Sequence, residues 1–564
     1  MVGPIQLGTS AVTVYTCPTS TRASVTNIHV FNGSSSTATF YLSLGVDASG
    51  TRVFSSYSVP ARKPLDVRGT FVLTADDVIQ AYSGSNNVLT LTINGSVNGA
   101  ALSTWTVSAN SRYLLQNGVP WPMKGRTSWI VISNSLSDYQ DYISDTLTKK
   151  FNAIEFAVIA HWPNGTRTPF ANNTALLPFN NQLNGSPWNG SLSYGGSQDT
   201  LAPDFSTPND AYWSFALAFV DYCAARGILC LMFPSYVGFG GGTDGWMLEM
   251  VANGVTKMTT YGAYIANLFR DRTNIVWMLG GDYGTGGPSG NFTAPQLAVE
   301  QAMIDGMTSV ANQRSTFFSA EWSSSSNATD QTTFGHYINL NGAYSWVDVI
   351  GQCRTGYSFA SPKMPAFLLE GPYDQEGPDG TDVNPAATQP VRRFQWWSAL
   401  SCIGGYMTGN GYIWPFNLTG TLPATDNWKN HLSTQGALDM ATLNAFLDSV
   451  AWWELVPSGL DGMINLIPTG GGSGDQTITA ACSPNLILAY VPPNSAGTFT
   501  VNMTAMNGSL HRARFYDVTN NTYHTTATAA GTFTLTNSAT AQPFSVPVGG
   551  NSQGENDWLL QIDT

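Results

Sequence analysis

The chain has 564 residues, of which 43% are hydrophobic and only 10% charged, and its formal net charge is −13. This length predicts two to four domains, and the apolar content is sufficient to form buried cores. Nucleic-acid binding is disfavoured because it needs clusters of Lys and Arg. The longest runs of such residues here are the pairs Lys149–Lys150 and Arg392–Arg393.

The cysteines, the histidines and the amino terminus exclude further classes. Six Cys are scattered without a C-x-x-C motif, and six His are equally dispersed, so we expect no metal site and no cofactor. The sequence begins Met-Val-Gly-Pro-Ile-Gln, without the basic start and apolar core of a signal peptide. No apolar run is long enough to span a membrane. We therefore expect no signal peptide and no membrane segment.

Residues 1–105 show short runs of alternating apolar and polar residues separated by Gly, Asn and Ser, which is typical of β-strands and turns. Few candidate catalytic groups occur in them. We interpret this region as a β-sandwich for attachment or oligomerisation. The predicted strands are Ala11–Cys17, Ser24–Phe31, Thr37–Leu44, Gly69–Leu73, Val78–Tyr82 and Val88–Ile93.

Residues 106–455 change to apolar strands that alternate with helical patterns. Eight such repeats predict a (β/α)₈ TIM barrel. An open doubly wound sheet is disfavoured because no G-x-G-x-x-G opens a helix after a strand. The predicted strands are Trp121–Trp129, Asn152–Ile159, Ile228–Phe233, Ile275–Leu279, Thr316–Ala320, Val347–Gly351, Ala366–Glu370 and Gly405–Thr408. The predicted helices are Asp210–Arg226, Met258–Arg270, Ala294–Ala311, Val391–Leu400 and Leu438–Val450.

Residues 456–564 return to short strands, with glycines at 470–474 forming a flexible entry. They predict a second all-β sandwich, so the fold class is α/β with an all-β domain on each side of the barrel. The predicted strands are Asn485–Val491, Gly497–Asn502, Ala513–Asp517, Gly531–Leu535 and Trp558–Ile562.

Two carboxylates follow apolar barrel strands at the point where each strand ends. Asp282 closes Ile275-Val-Trp-Met-Leu-Gly-Gly-Asp, and Glu370 closes Ala366-Phe-Leu-Leu-Glu. Active sites of such barrels lie at the carboxyl ends of the strands, and a carboxylate pair across one bond is what glycoside hydrolysis requires. A helix-capping role for Asp282 is the competing interpretation. Ser-His-Asp chemistry is disfavoured because no G-x-S-x-G elbow lies between a strand and a helix.

Other polar and aromatic residues follow the strands or lie in the loops beyond them, where they are candidates for binding sugar. Each aromatic residue could instead pack in the core or rim, His161 could be a packed loop histidine, and Glu155, inside strand two, could be buried and paired. The candidate substrate-binding residues are Arg126, Trp129, His161, Trp162, Tyr236, Tyr283, Glu321, Tyr373 and Trp414.

Several blocks of residues 111–564 resemble the apiosidase-like glycoside hydrolases, glycoside hydrolase family 140 and its relatives. The blocks are Tyr113-Leu-Leu-Gln-Asn-Gly-Val-Pro-Trp, Lys149-Lys-Phe-Asn-Ala-Ile, Asn209-Asp-Ala-Tyr-Trp, Arg226-Gly-Ile, Asn274-Ile-Val-Trp-Met-Leu-Gly-Gly-Asp and Trp452-Trp-Glu-Leu-Val-Pro. The stretches Leu488-Ala-Tyr-Val-Pro, Ala513-Arg-Phe-Tyr-Asp and Asp557-Trp-Leu-Leu resemble the family's C-terminal collagen-binding-like β-domain. The resemblance implies retention of configuration, with Asp282 as acid/base and Glu370 as nucleophile.

One departure from the family concerns Gly125-Arg126-Thr-Ser-Trp129, where relatives usually carry Gly-Asp-Thr-Ala-Trp. An Arg in place of an acid at the barrel mouth suggests a changed sugar subsite, with an acidic sugar paired to Arg126.

The first hundred residues resemble small β-domains of phage tail and neck proteins, on the pattern of Val12-Thr-Val-Tyr-Thr-Cys-Pro and Val25-Thr-Asn-Ile-His-Val-Phe-Asn. We therefore expect a depolymerase of bacterial surface polysaccharide that is carried on a virion tail or is extracellular. We also expect it to associate with other virion proteins and to form a homo-oligomer, for which tail architecture favours a trimer. The alternatives are a non-catalytic glycan-binding virion protein and a bacterial glycosidase of plant cell-wall glycans.

Overall fold

The computed structural model describes twelve stretches of the chain. The chain folds into two compact units, Met1–Ser103 and Thr104–Thr564. None of the helices in these stretches is long and apolar enough to cross a membrane. The described residues are 2–17, 22–73, 77–98, 103–161, 176–190, 200–287, 289–376, 388–416, 427–493, 497–524, 533–536 and 541–564.

The first unit is a β-sandwich of two four-stranded antiparallel sheets, as the alternation of apolar residues predicts. Two strands were not predicted from the sequence, Val2–Gln6 and Arg52–Val59, because both carry few buried apolar residues. One sheet has the order Val2–Gln6, Leu89–Asn98, Arg22–Asn32 and Pro64–Leu73. The other has the order Val12–Thr16, Val78–Ser83, Ala38–Leu44 and Arg52–Val59.

The second unit contains a TIM-like barrel of eight parallel strands, which confirms the predicted architecture. The barrel is nearly closed, because strands five and six of the described chain do not pair as a ladder. They are joined where the Asn339 and Leu340 amides both donate to the Phe318 carbonyl at 3.1 Å. In chain order the barrel strands are Met123–Thr127, Ala153–Ala157, Leu229–Phe233, Ile275–Gly280, Phe317–Glu321, Asn341–Tyr344, Ala366–Glu370 and Ile403–Thr408.

Short antiparallel strands lie beside the barrel. One sheet of three, which carries Trp105, Leu114 and Trp121, packs on the interior residues at the amino end of the barrel strands. Its strands are Trp105–Val107, Leu114–Gln116 and Val119–Trp121. The remaining short strands of the barrel region are Thr285–Gly286, Gly290–Asn291 and Ser326–Asn327.

Seven helices of the described chain accompany the barrel strands and bury an apolar face against them. Several begin at a capping side chain: Ser135 accepts from the Asp138 amide, and Thr434 accepts from the Ala437 amide. The helices are α1 Leu136–Thr148, α2 Asp210–Ala224, α3 Met247–Leu268, α4 Ala294–Thr308, α5 Val349–Ser358, α6 Thr388–Ser401 and α7 Gln435–Leu447.

The predicted sixth strand, Val347–Gly351, is wrong. Asp348 caps α5 there by accepting a hydrogen bond from the Gly351 amide, and Val347 is 86% exposed. The true sixth strand is Asn341–Tyr344, whose Asn, Gly and Ala residues lack the apolar run on which the prediction depended. The error matters because this short strand supplies residues of the site.

The C-terminal β-domain, at the end of the second unit, is built on a seven-stranded antiparallel sheet and a two-stranded ribbon. The predicted Gly531–Leu535 lies partly outside the described residues. The sheet strands are Val456–Pro457, Thr479–Ser483, Leu486–Val491, Trp558–Asp563, Leu510–Asp517, Thr522–Tyr523 and Phe533–Thr536. The ribbon pairs Thr498–Val501 with Gln542–Ser545.

The barrel and the C-terminal β-domain share one hydrophobic core and a buried ion network. Arg392 of α6 makes two hydrogen bonds to the Asp557 carboxylate, at 2.8 and 2.9 Å, and one to Asp439 of α7 at 2.5 Å. Tyr490 also donates to Asp557, at 2.9 Å. Because all three charged groups are at most 1% exposed, the β-domain is fixed to the barrel helices through charges that depend on one another.

Candidate active site

Asp282 lies at the mouth of the fourth barrel strand on a backbone elbow. Gly280, Gly281 and Asp282 all have positive φ, at 75°, 126° and 57°. A Cβ on Gly281 would lie 2.3 Å from the Tyr236 ring, and one on Gly280 would lie 2.4 Å from the Glu321 carbonyl oxygen. The Gly-Gly pair is therefore required so that the chain can turn there and let Tyr236 approach Asp282.

Two tyrosine hydroxyls hold the Asp282 carboxyl. Tyr236 donates to Oδ2 at 2.8 Å, and Tyr344, which ends the sixth strand, donates to Oδ1 at 2.5 Å. Burial raises the pKa of Asp282, while these two hydrogen bonds lower it by stabilising the carboxylate. The net direction of the shift in the pKa of Asp282 is upward.

Glu370 reaches the same mouth through an irregularity in the seventh strand. Ala343 pairs with Leu368, but Tyr344 pairs with Glu370, so Leu369 is an extra residue in the ladder. Such a bulge re-aims the side chain that follows it. Oε1 of Glu370 accepts from the Trp346 indole at 3.2 Å, and Oε2 has no hydrogen-bond partner among the described residues. Burial, then Asp282 and Glu155, raise the pKa of Glu370 well above its ordinary value.

A chain of aromatic contacts joins the two carboxylates. The Trp346 ring lies 5.7 Å from Tyr373, and the Tyr373 hydroxyl accepts from the Trp129 indole at 3.2 Å. Trp129 in turn lies 5.2 Å from the Tyr236 ring, which is the partner of Asp282. Asp282 and Glu370 therefore share one aromatic-walled site.

Glu155 and Glu321 add two further carboxylates to this mouth, and both are 0% exposed. Glu155 lies on the same strand face as Ala153 and Ala157, whose side chains fill the barrel interior. Glu321 pairs in register with Gly280. Burial and Asp282 raise the pKa of Glu155; burial, then Glu370, Asp282 and Glu155, raise that of Glu321. The interpretation of Glu155 as a paired structural residue is wrong, because no described Lys, Arg or His forms an ion pair with it.

Behind the elbow, the Gly280 amide donates to Oε1 of Glu300, a fully buried residue of α4, at 3.2 Å. Burial raises the pKa of Glu300 to about 7, against a lowering by that hydrogen bond. The group therefore carries a proton at acidic pH and is ionised at an energetic cost above neutrality.

We expect Glu300→Gln to flatten the pH dependence of stability. Because the folded pKa exceeds the unfolded one, stability is highest below the unfolded pKa and falls as pH rises toward about 7. Above that pH the penalty amounts to about 3 kcal/mol. The barrel of the variant should therefore lose less stability between pH 5 and 8 in calorimetry, and parallel wild-type and variant curves would contradict this role.

Arg126 does not stand at the mouth, and the prediction of an acidic-sugar subsite around it is wrong. Its neighbour Thr127 faces the same way as interior Met123, so strand alternation turns Arg126 outward. There Nη1 pairs with Asp145 of α1 at 2.8 Å, and the guanidinium lies 4.8 Å from the Tyr142 ring centroid.

The structure places the other candidates differently from one another. Trp129, Tyr236, Glu321 and Tyr373 join the carboxylates. His161 is instead buried beside Glu249, at 3.6 Å, and the Trp246 ring. The Tyr283 hydroxyl donates to the Asn291 carbonyl at 2.6 Å, away from this cluster. Trp414 is 7% exposed in the turn after strand eight, and Trp162 lies outside the described residues.

Tyr344 and Trp346 were not among the predicted site residues, although each donates to one of the two central carboxylates. The misplaced sixth strand explains the omission. The signal that could have revealed them is Leu340-Asn-Gly-Ala-Tyr-Ser-Trp, in which aromatic residues end a short run of small ones.

We expect Tyr344→Phe to shift the alkaline limb of the pH–activity profile upward. Loss of the hydroxyl removes a hydrogen bond that lowers the pKa of Asp282, so Asp282 keeps its proton to higher pH. A hydrogen bond to a charged group is worth roughly 2 kcal/mol, so kcat should fall about tenfold or more. An unmoved alkaline limb in the profile of kcat/KM would contradict this assignment.

An eight-stranded barrel whose carboxylates converge at the carboxyl ends of strands four and seven defines a protein of the glycoside hydrolase class. The family model described as "Apiosidase-like, catalytic domain" matches residues 108–454. The chain therefore belongs to the apiosidase-like family.

Solved structures share this fold at low sequence identity. A glycoside hydrolase family 5 structure from Bacteroides vulgatus is 18% identical with a TM-score of 0.62, over 83% of this chain and 94% of that one. A structure described as a glycoside hydrolase is 16% identical with a TM-score of 0.61, over 82% and 96%. A putative glycoside hydrolase from Bacteroides vulgatus covers 100% of this chain and 98% of its own length, at 11% identity and a TM-score of 0.57. A comparison with curated protein sequences gives no significant match.

Proposed function

We propose that the chain is a retaining glycoside hydrolase in which Asp282 is the acid/base and Glu370 the nucleophile. The observation that carries the proposal is the unbroken contact path from Trp346 on Glu370, through Tyr373 and Trp129, to Tyr236 on Asp282. It supports two carboxylates acting on one bond.

In the first step, Oε2 of Glu370 attacks the anomeric carbon and forms a glycosyl ester. The bond from that carbon to the leaving oxygen breaks, and Asp282 gives its proton to this oxygen. Trp346 orients Glu370 by occupying Oε1, so the attacking oxygen is the one without a hydrogen-bond partner among the described residues.

In the second step, Asp282 is a carboxylate and removes a proton from water, which attacks the same carbon and releases Glu370. Tyr236 and Tyr344 donate to both oxygens of that carboxylate and so stabilise it between the steps. Two inversions at one carbon give net retention.

The substrate that we propose is a bacterial surface polysaccharide, cleaved by a depolymerase on a virion tail or outside the cell. The low charge of the chain and the separate N-terminal β-sandwich support this substrate and location. The sandwich would bind other virion proteins and hold a homo-oligomer, which we propose is a trimer. A bacterial glycosidase of plant cell-wall glycans is the second candidate. The outward position of Arg126 favours it, because this departure from the apiosidase-like pattern does not bring a cation to the mouth.

Incubation with a panel of bacterial exopolysaccharides and plant cell-wall glycans tests the proposal. We expect new reducing ends with at least one bacterial polysaccharide, and NMR of the first product should show the anomeric configuration of the substrate. An inverted product would overturn the assignment of Glu370 as nucleophile. Cleavage confined to plant glycans would favour the second candidate.

A further inference from the structure

Glu155 and Glu321 give the barrel mouth more carboxylates than the proposed reaction uses. A double displacement needs one acid/base and one nucleophile, which Asp282 and Glu370 supply. Glu155 and Glu321 are nevertheless fully buried at interior positions of strands two and five. Groups of this kind are almost never buried without a partner, so both call for a function.

None of the four carboxylates is balanced by a cation of the described chain. No Lys, Arg or His within the described ranges forms an ion pair with any of them. The same ranges contain no group of three or more His, Cys, Asp or Glu arranged to hold a metal ion. The described residues therefore supply no cation that would offset the charge of these carboxyl groups when they ionise.

Glu155 points most directly to a ligand. Neither of its carboxyl oxygens accepts a hydrogen bond within the described residues. Its neighbours on the same strand face, Ala153 and Ala157, lie in the barrel interior, so Glu155 faces that interior as well. Burial and Asp282 raise the pKa of Glu155, so a cationic donor is the partner that would favour its ionised form and satisfy its oxygens.

An ammonium group matches this environment better than a hydroxyl. It offers three N–H donors and a positive charge, whereas a hydroxyl offers one donor and no charge. A uronate would bring a fifth carboxyl group into the mouth and be repelled.

We propose that Glu155 and Glu321 recognise an ammonium group on the sugar bound at the barrel mouth, so that the substrate contains a non-acetylated amino sugar. The inference rests on the proposed function, which makes the ligand a sugar. It names a specificity that the reaction itself does not require.

Calorimetric binding of monosaccharides to the full-length wild-type protein below pH 7, where sugar amines are protonated, tests this proposal. The ligands are glucosamine, galactosamine and mannosamine, each beside its N-acetyl form and its parent hexose, together with glucuronate. At least one amine should bind about tenfold or more tightly than both of its counterparts, and glucuronate should bind most weakly.

Glu155→Gln and Glu321→Gln keep the shape of the side chain but remove its charge, so each should reduce the preference for the amine several-fold. Glu454→Gln, which changes an exposed glutamate, is the matched control and should preserve the preference. Equal binding of amines and their counterparts, or a preference that survives in both site variants, would overturn the proposal.

Monosaccharide binding requires no bond cleavage, so the two proposals can fail separately. Polysaccharide cleavage without an amine preference would refute the specificity alone. An amine preference without cleavage of any polysaccharide would instead count against the reaction.

Discussion

Glu370→Gln and Asp282→Asn should each lower kcat on a cleaved polysaccharide by about 10³-fold or more. Glu370→Gln removes the attacking oxygen anion, so no glycosyl ester forms. Asp282→Asn removes the transferable proton while its amide can still contact Tyr236 and Tyr344. Reducing-end assays under saturating substrate measure both losses.

Both variants should keep or gain thermal stability although they lose activity. Each substitution neutralises one of four buried carboxyl groups that raise the pKa of one another, so melting temperatures should stay the same or rise. Glu454→Gln, on an exposed residue, is the control for both readouts. Full cleavage by both site variants would show that the chemistry lies elsewhere.

Arg392→Ala should destabilise the second unit by about 3–5 kcal/mol. The substitution leaves Asp439 and Asp557, both 0% exposed, buried without their cation, and burial already raises the pKa of Asp439 to about 6. Chemical unfolding followed by tryptophan fluorescence measures the change.

Arg512→Ala is the matched control for that experiment. Arg512 also forms a two-point contact with a carboxylate, Asp563, at 2.9 and 3.0 Å, but its side chain is 50% exposed. A solvated pair of this kind contributes about 0–1 kcal/mol. If both variants lost the same stability, burial of the Arg392 network would not be the cause.

The sequence points to the proposed catalytic pair because each member follows an uninterrupted apolar strand. Ile275–Gly280 and Ala366–Glu370 are fully buried strands in the structure, and their carboxyl ends lie at one mouth. Because active sites of such barrels lie at the carboxyl ends of the strands, the positions where these two strands end are sufficient to select both carboxylates.

Two features depended on geometry that the sequence does not display. Arg126 lies within the first strand, Met123–Thr127, and only the direction of strand alternation places it against Asp145 instead of the mouth. Glu370 enters the mouth through a bulge at Leu369, and an extra residue in a ladder leaves no apolar signature.

The sixth strand was lost because its residues, Asn341–Tyr344, are polar or small and depend on neighbouring strands for their conformation. Tyr344 and Trp346, which donate hydrogen bonds to Asp282 and Glu370, were therefore missing from the predicted site. The two carboxylates of the proposed site were thus visible in the sequence, while the residues that donate hydrogen bonds to them required the fold.

Azide rescue of Glu370→Gly tests most directly whether Glu370 is the nucleophile of a retaining enzyme. The cavity left by the side chain admits azide, so the account predicts that azide restores cleavage and yields a glycosyl azide of inverted anomeric configuration. Glu155→Gly and Glu321→Gly are the matched variants and should not form this product. Rescue of either of them, with none for Glu370→Gly, would contradict the account.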